Sequence, residues 1–273
     1  MSDEHGERPE GHRLPDETHV GTVRLKVSDL DRSLEFYERL LGMRVIDRDA
    51  DGARLGADGN DATLLELRPG ADPRVPRRGR LGLYHFAVLL PDRPALGRLL
   101  SHLVHEGVHP GAADHLVSES LYLQDPDDLG IELYRDRPRS EWTVRGREGT
   151  VRGGEATVRG REVVMATDAL DAAGIIAAAD GAEWTGMPAG TTIGHIHLHV
   201  AALAAARAFY SDALGLDVVV SSYPGALFMS AGGYHHHLGV NTWDGAHAQA
   251  PAENEPQLLS WELVLPSVND VAA

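Results

Sequence analysis

The chain has 273 residues, of which 42% are hydrophobic and 24% charged, and its formal net charge is −16; this is the composition of a globular protein with room for one large domain or two smaller ones. The acidity argues against a nucleic-acid partner, which needs a basic surface, and no apolar run approaches the roughly 20 residues that cross a bilayer. With no cysteine, disulfides and thiolate sites are excluded and a cytoplasmic location is expected.

The chain opens with a charged stretch that contains Pro and Gly and lacks hydrophobic periodicity. This composition predicts a disordered tail over residues 1–18 and no signal peptide. Val20–Val27 then alternates apolar and polar residues, which is the pattern of a strand. An aspartate-capped helix follows and ends at Gly42. Three short strands, the last near 62–68, complete a β-α-β-β-β unit.

The later elements repeat this order. Strand and helix patterns predict a second unit over residues 83–134, with a strand at 118–124, and a third over 193–241, with a strand at 226–230. The third opens with GHIHLHVAALAAARAFYSDALG, which copies the GTVRLKVSDLDRSLEFYERLLG of the first unit at a constant offset. A fourth unit begins at 258–265 and stops inside its helix. The predicted fold is therefore α+β, with four β-α-β-β-β units, the last truncated, that form cupped open-barrel modules.

A low-complexity stretch separates the second unit from the third. Residues 143–162 read TVRGREG, TVRGGEA and TVRGRE. Each heptad contains glycine and none has a pair of apolar positions, so a coiled coil is disfavoured and a linker expansion is predicted. We therefore expect a first module over residues 19–138, a linker over 139–190 and a second module over 191–273.

Candidate ligands are expected on the first and last strands of each unit, because their side chains point into the cup. At these slots the sequence places Thr22 and Glu66 in unit one, His85 and Glu132 in unit two, His195 and the run Tyr234–His237 in unit three, and Ser260 in unit four. Units two and three together supply two imidazoles and a carboxylate, whereas units one and four cannot supply two imidazoles between them. We therefore predict that these two units share one cup and that units one and four form the other.

Two imidazoles and one carboxylate, with the other coordination positions open, form the facial triad of non-haem Fe(II) oxygenases. We therefore predict His85, His195 and Glu132 as ligands of Fe(II), with Mn(II) left open. Taken singly, each residue has a plainer interpretation as a hydrogen-bonded buried histidine or as a half-exposed strand carboxylate, and the latter is what we expect of Glu66. The coincidence of three ligand types at three equivalent slots favours the metal site.

The motifs around these residues resemble the vicinal oxygen chelate superfamily of glyoxalases, bleomycin-resistance proteins and extradiol dioxygenases. The stretches that carry the resemblance are GLYHFAVLLPDR, HxVSExLYLxDPDxxGIELYxDRPR, IGHIHLHV and ALFxSAGGYHHHLGxNxW. They are most similar to bacterial catechol 2,3-dioxygenases. The similarity runs from about His19 to the end of the chain, apart from the heptad linker.

The resemblance implies three metal ligands and three residues that act on the substrate. The ligands are His195 from one unit and His85 and Glu132 from its partner unit. The substrate-directed residues are His236, as the acid–base residue, and His115 and Tyr122, near the substrate oxygens. The register leaves His235 or His237 open in place of His236. The commonest family order has both ligand-bearing units adjacent at the C-terminus, so this chain requires the crossed pairing of units.

The implied function is an extradiol ring cleavage, in which a catechol-type aromatic diol is opened with O2 at a 2-His-1-Glu Fe(II) site. The expected partners are a small aromatic diol and O2, with no nucleic acid and no membrane, and a homo-oligomer is left open. Three alternatives stand beside it: a glyoxalase-like metal-dependent isomerase or lyase, a non-enzymatic small-molecule-binding protein of the same superfamily, and a protein inactivated by its truncated fourth unit.

Overall fold

The computed structural model describes residues 5–59, 61–72, 79–148, 158–245 and 247–272. The first unit contains β1 (His19–Val27), α1 (Leu30–Leu34) with a π-helical continuation (Glu35–Leu40), β2 (Arg44–Arg48), β3 (Ala53–Gly56) and β4 (Leu65–Pro69). The second unit contains β5 (Gly82–Leu89), α2 (Arg93–His105), β6 (Gly111–Asp114), β7 (Ser118–Gln124) and β8 (Gly130–Asp136). Both follow the predicted β-α-β-β-β order.

The linker is followed by a third unit and the opening of a fourth. The linker contains a 3-10 turn (Arg139–Glu141), β9 (Val144–Glu148), β10 (Val158–Val163) and α3 (Ala172–Ala178). The third unit contains β11 (Thr192–His199), α4 (Leu203–Arg207) with a π-helical continuation (Ala208–Ala213), β12 (Asp217–Val220), β13 (Ala226–Ser230) and β14 (Leu238–Asn241). The fourth contains β15 (Gln257–Val264) and α5 (Val268–Val271). None of the helices in the described ranges has the length and apolar character that a bilayer crossing requires.

The strand pairing joins units that are not neighbours in the sequence. One sheet has eight strands in the order β12-β13-β14-β11-β5-β8-β7-β6, so units two and three meet through the antiparallel pair of β5 and β11. Another has five strands in the order β15-β1-β4-β3-β2 and joins unit one to the first strand of unit four. The α+β fold of repeated cupped units, with units two and three paired, is thereby confirmed. The module boundaries at 19–138, 139–190 and 191–273 stay a prediction.

Local sequence explains these elements. Val23, Leu25 and Val27 of β1 are fully buried, and the residues between them face the other side of the sheet, as the period of two of a strand dictates. Side-chain caps begin the helices α1 and α2. The carboxylates of Asp29 and Asp92 each accept a hydrogen bond from the backbone N–H three residues later, which satisfies a donor that has no partner within the helix.

The five-stranded sheet carries an ionic cluster on β1, β4 and β15. Arg24 Nε donates to Glu66 Oε2 at 2.6 Å, and Arg24 Nη1 donates to Ser260 Oγ at 2.8 Å. Arg68 forms a second ion pair with Glu66. Glu66 is therefore buried, which corrects the expectation of a half-exposed carboxylate, because two guanidinium groups compensate the hydration that it loses.

The tail predicted as disordered over residues 1–18 makes specific contacts from residue 5 onward, and the four residues before it lie outside the described part of the chain. Leu14 is buried in the main hydrophobic core. Arg13 pairs with the buried carboxylate of Asp217 at 2.7 Å. These contacts join the tail to residues that are distant in the sequence, so the composition of the tail does not predict them.

Part of the heptad repeat forms a two-stranded ribbon. β9 and β10 pair antiparallel with Val144 opposite Val163, and the Val164 N–H donates to the Thr143 carbonyl at 2.8 Å. These four residues close the base of the ribbon and are called the neck below. The middle repeat, residues 150–156, lies outside the described residues.

One buried hydrogen bond ties unit one to unit two. The Tyr37 hydroxyl donates to Asp125 Oδ2 at 3.0 Å, and Asp125 Oδ1 accepts from the backbone N–H groups of Asp127 and Leu129. Burial raises the pKa of the Asp125 carboxyl to about 6, although these hydrogen bonds favour the charged form. The turn at the end of β7 is thus held in part by the helix of unit one.

Tyr37→Phe should lower the free energy of unfolding by about 1–3 kcal/mol, because a buried carboxylate loses its hydroxyl donor. The matched control is Tyr210→Phe at the equivalent position of unit three, where the ring is partly buried beside Trp261; this change should cost less than about 0.5 kcal/mol. Urea unfolding at neutral pH, followed by circular dichroism, measures both. Equal losses in the two variants would show that the Tyr37 hydroxyl contributes nothing.

Candidate metal centre

Three neighbouring strands at the centre of the eight-stranded sheet each supply one candidate ligand. His195 lies on β11, His85 on β5 and Glu132 on β8. Neighbouring strands are about 4.8 Å apart, so side chains that share a face across these three strands converge. The structure therefore brings together the three residues that the sequence places at equivalent slots of different units.

The three donor atoms form a compact triangle. His85 Nε2 lies 3.0 Å from Glu132 Oε2, His195 Nε2 lies 3.1 Å from the same oxygen, and the two Nε2 atoms are 3.3 Å apart. An octahedral ion with bonds of about 2.1 Å holds neighbouring donors about 3.0 Å apart. The residues therefore fit a divalent cation, and among the described residues they form the one group of metal-ligating side chains that converges in this way.

The electrostatics of the triangle suit a cation. Burial lowers the pKa of the His195 imidazole to about 4, against the opposing effect of the Glu132 carboxylate. Burial raises the pKa of Glu132, but the charges and hydrogen bonds of His195 and His85 outweigh it and hold that pKa well below its ordinary value. Near neutral pH the site therefore offers a neutral His195 imidazole and an ionised carboxylate, the protonation states that metal binding requires.

The sequence predicts the histidine run on the last strand of its unit. In the structure the run lies in the turn before that strand, β14. His236 borders the cavity and packs on His195, with ring centroids 4.1 Å apart. Of the three register alternatives, the structure brings His236 to the site, and His235 and His237 lie outside the wall of the cavity in the described part of the chain. Burial lowers the pKa of His236 well below that of a free imidazole.

His115 and Tyr122 form a hydrogen-bonded pair at another part of the cavity wall. Tyr122 Oη lies 2.5 Å from His115 Nε2, and His115 Nδ1 lies 2.6 Å from the carbonyl oxygen of Ala166. A carbonyl only accepts, so His115 carries its proton on Nδ1 and the Tyr122 hydroxyl donates to Nε2. Burial raises the pKa of Tyr122 well above its ordinary value, and the Glu132 carboxylate adds to this effect.

His197 shares the face of His195 and borders the cavity, but it is not part of the triangle. Asn241 Nδ2 donates to His197 Nε2 at 3.0 Å. The ring of His197 packs against that of His85, with centroids 5.0 Å apart. Because its Nε2 lone pair is engaged by an amide, His197 supports the position of His85 rather than adding a fourth donor.

The triangle opens into a cavity of about 280 Å³. Aromatic, aliphatic and small side chains form most of its wall: Tyr84, Ala112, Ala113, Met165, Ala166, Thr167, Tyr223, Phe228 and Trp243. Glu132 is the one charged residue among the described residues that line it, and no Lys or Arg is among them. A largely apolar wall with a few convergent polar groups at one end is typical of a small-molecule site.

Several of these wall residues are not among the site residues that the sequence predicts. Met165 and Thr167 come from the segment after the ribbon, and Tyr223 and Trp243 come from loops beside β13 and β14. Loop residues follow no periodic pattern, so only the packed structure shows that they meet. The one signal that points to any of them is the tryptophan at the end of the motif ALFxSAGGYHHHLGxNxW.

Comparison with known families agrees with this geometry. Residues 19–133 and 192–272 match the Glyoxalase/Bleomycin resistance protein/Dioxygenase superfamily. The chain belongs to this superfamily. The catechol-2,3-dioxygenase of Bacillus subtilis (strain 168) is 46% identical over 256 residues, which cover 93% of this chain and 85% of that relative. Within the superfamily, the chain is therefore a dioxygenase-like oxidoreductase, and the resemblance seen in the motifs is confirmed.

A solved structure has the same fold. The crystal structure of a protein from Bacillus subtilis subsp. subtilis str. 168 superposes with a TM-score of 0.58 over 96% of this chain and 74% of that chain, at 14% sequence identity. At this low identity the match concerns the fold alone. It agrees with the repeated units of the superfamily that the strand order shows.

The third histidine of the run predicts a pH dependence of stability. Burial lowers the pKa of His237 to about 3, below the about 6.5 of an unfolded histidine. Between these values the unfolded chain binds the extra proton, so stability falls as the pH drops from about 6.5 toward 3. In metal-free protein, His237→Gln should flatten this slope by about one proton.

Thermal unfolding of both proteins across this pH range measures the slope. His105→Gln, at an exposed position of α2, is the control and should leave the slope unchanged. A slope that His237→Gln does not alter would contradict a neutral, buried His237.

Proposed function

We propose that this chain is an extradiol ring-cleaving dioxygenase that opens a catechol-type aromatic diol with O2 at a 2-His-1-Glu Fe(II) site. The observation that carries the proposal is the buried triangle of His85, His195 and Glu132 at one end of an aromatic cavity. The 46% identity to a protein named as a catechol-2,3-dioxygenase supports the same reaction.

His85, His195 and Glu132 would hold the metal ion. Two imidazoles and a carboxylate suit Fe(II), and Mn(II) fits the same donors. When bound, the ion supplies Lewis acidity that lowers the pKa of a diol hydroxyl, together with the redox chemistry that O2 requires. Because all three donors come from one face of one sheet, the cavity side is left open to the substrate.

His236 is the residue that takes a proton from the diol. It is neutral near pH 7 because burial lowers its pKa, it borders the cavity, and its ring lies against His195. A positioned imidazole of this kind contributes about 10²–10⁴-fold to a rate by general acid–base catalysis. The Tyr122 hydroxyl donates its hydrogen bond to His115. The Tyr122 oxygen can therefore accept a hydrogen bond from the second hydroxyl of the diol.

The cavity wall favours a neutral diol. The described residues that line it include no Lys or Arg to pair with a substrate carboxylate, and burying an unpaired carboxylate is strongly unfavourable. The aromatic rings of Tyr84, Phe228 and Trp243 provide surfaces on which a substrate ring can pack. A single ring with an uncharged substituent is therefore the substrate class that we propose.

The alternatives have less support. A glyoxalase-like isomerase or lyase usually has four ligands that include two carboxylates, and among the described residues Glu132 is the one carboxylate that converges with His85 and His195. A non-enzymatic binding protein has no need of a buried carboxylate and two buried imidazoles, whose desolvation is costly. The strand of unit four belongs to the other sheet, apart from the site of units two and three. A cytoplasmic location and a homo-oligomer stay predictions.

Anaerobic reconstitution with Fe(II) should give one bound iron per chain, and addition of catechol and air should give a yellow ring-opened product. Glu132→Gln should lower the iron affinity at least about 100-fold, because the anionic donor is lost. The matched control is Glu66→Gln at the equivalent slot of the five-stranded sheet, which should bind iron like the wild type. Metal analysis and visible absorbance measure the two effects. Stoichiometric, tight iron in Glu132→Gln would contradict the site.

His236→Ala should keep its iron and lose about 10²–10⁴-fold in kcat, because the imidazole handles a proton and does not bind the ion. His105→Ala, at an exposed position of α2, is the control and should change neither quantity. Turnover at the wild-type rate would remove His236 from the reaction. Loss of iron from His236→Ala would assign it to metal binding instead.

A further inference from the structure

A row of hydrogen bonds runs from the end of β8 to the cavity. Asp136 Oδ1 lies 2.8 Å from His235 Nε2, and His235 Nδ1 lies 2.8 Å from His236 Nδ1. Both imidazoles are buried, whereas the Asp136 side chain is 26% exposed. The row therefore joins a partly hydrated carboxylate to the imidazole beside the metal centre.

The carboxylate sets the direction of donation along this row. A carboxylate only accepts hydrogen bonds, so His235 carries a proton on Nε2. In a neutral His235, Nδ1 then has a lone pair, and His236 has to donate to it from its own Nδ1. The other nitrogen of His236, Nε2, is left unprotonated, and His236 is the member of the row that borders the cavity.

We propose that Asp136 and His235 are positioning residues that hold His236 in the tautomer whose unprotonated Nε2 faces the substrate. This assignment rests on the proposed function, since it explains why His236 accepts a proton. In this tautomer the lone pair of His236 Nε2 is available to a substrate proton, and the hydrogen bond from Nδ1 to His235 holds the ring in place.

The surroundings of the row fix its geometry. The Tyr234 hydroxyl donates to Asp136 Oδ1 at 3.2 Å and lies 2.7 Å from the Tyr134 hydroxyl. Gly194 makes room for Tyr134, since a Cβ at Gly194 would lie 1.7 Å from the Tyr134 oxygen. Trp142 packs on the first imidazole of the row, with ring centroids 5.5 Å apart. The carboxylate is thus oriented and the imidazole covered before substrate binds, as preorganised catalysis requires.

The third histidine of the run provides an internal control. His237 Nδ1 accepts from the Ala231 N–H at 3.3 Å and lies 3.2 Å from Ser230 Oγ. His237 is buried like its neighbours, but its hydrogen bonds and its ring contact with Tyr234, at 4.9 Å between centroids, lie within the turn and not in the cavity. A substitution of His237 therefore disturbs the same turn without removing a hydrogen bond of the row.

Two-bond proton–nitrogen NMR on metal-free protein with isotope-labelled histidine reports the tautomers without any measurement of activity. We expect the proton on Nε2 in His235 and on Nδ1 in His236. Asp136→Ala should convert His236 to a mixture of both tautomers, and His237→Gln should leave it unchanged. A proton on Nε2 of His236 in the wild type, or an unchanged His236 tautomer in Asp136→Ala, would overturn the assignment.

A double-mutant cycle on the iron-loaded enzyme tests the role in turnover. His235→Phe should lower kcat about 10–100-fold with iron content and KM unchanged, and it should have no further effect in a His236→Ala background, because it acts through His236. Asp136→Asn is a second variant with the same expectation, and His237→Gln should leave kcat unchanged. Equal losses from His235→Phe in both backgrounds would overturn the proposal. A wild-type protein that shows the expected tautomers but no ring cleavage would refute the proposed function while supporting the row.

Discussion

The antiparallel pairing of β5 with β11 is the contact on which the site depends. It sets His85 opposite His197 and places His195 two pairs away, opposite Ala87, so imidazoles from distant parts of the chain share one face of a sheet. β8 lies parallel to β5 and adds Glu132 to that face. A slip of one residue in either pairing would turn the side chains of a strand to the opposite face, and the three candidate ligands would no longer converge.

Much of this arrangement follows from periodicity and repetition in the sequence. The predicted strands at 118–124 and 226–230 coincide with β7 and β13, and the copied segment shows which slots are equivalent, so residue chemistry alone selects the three candidate ligands. The burial of Glu66, the turn that carries His236 and the wall residue Trp243 depend on contacts between distant, non-periodic segments. Such contacts leave no local pattern, and the lowered pKa of His236 arises only once they have removed water from its ring.

The two sheets stabilise a buried carboxylate in different ways. Around Glu66, Arg24 and Arg68 bring permanent positive charge, so the cluster is balanced by the protein itself. Around Glu132, both nearest partners are imidazoles, and His195 is neutral near physiological pH. The five-stranded sheet thus provides the cations that neutralise Glu66. The eight-stranded sheet leaves the charge of Glu132 to be neutralised by a bound metal ion.

The neck of the ribbon has a consequence for the gene that encodes this chain. Tandem copies of a short coding unit are gained and lost by replication slippage. Val144 pairs with Val163 at the two ends of the repeat, so copies gained or lost between them do not change the residues of the neck or those of the hydrogen bond between Ala166 and His115. We therefore expect that a change in heptad copy number, or a reporter domain inserted within the heptads, leaves the metal centre unchanged.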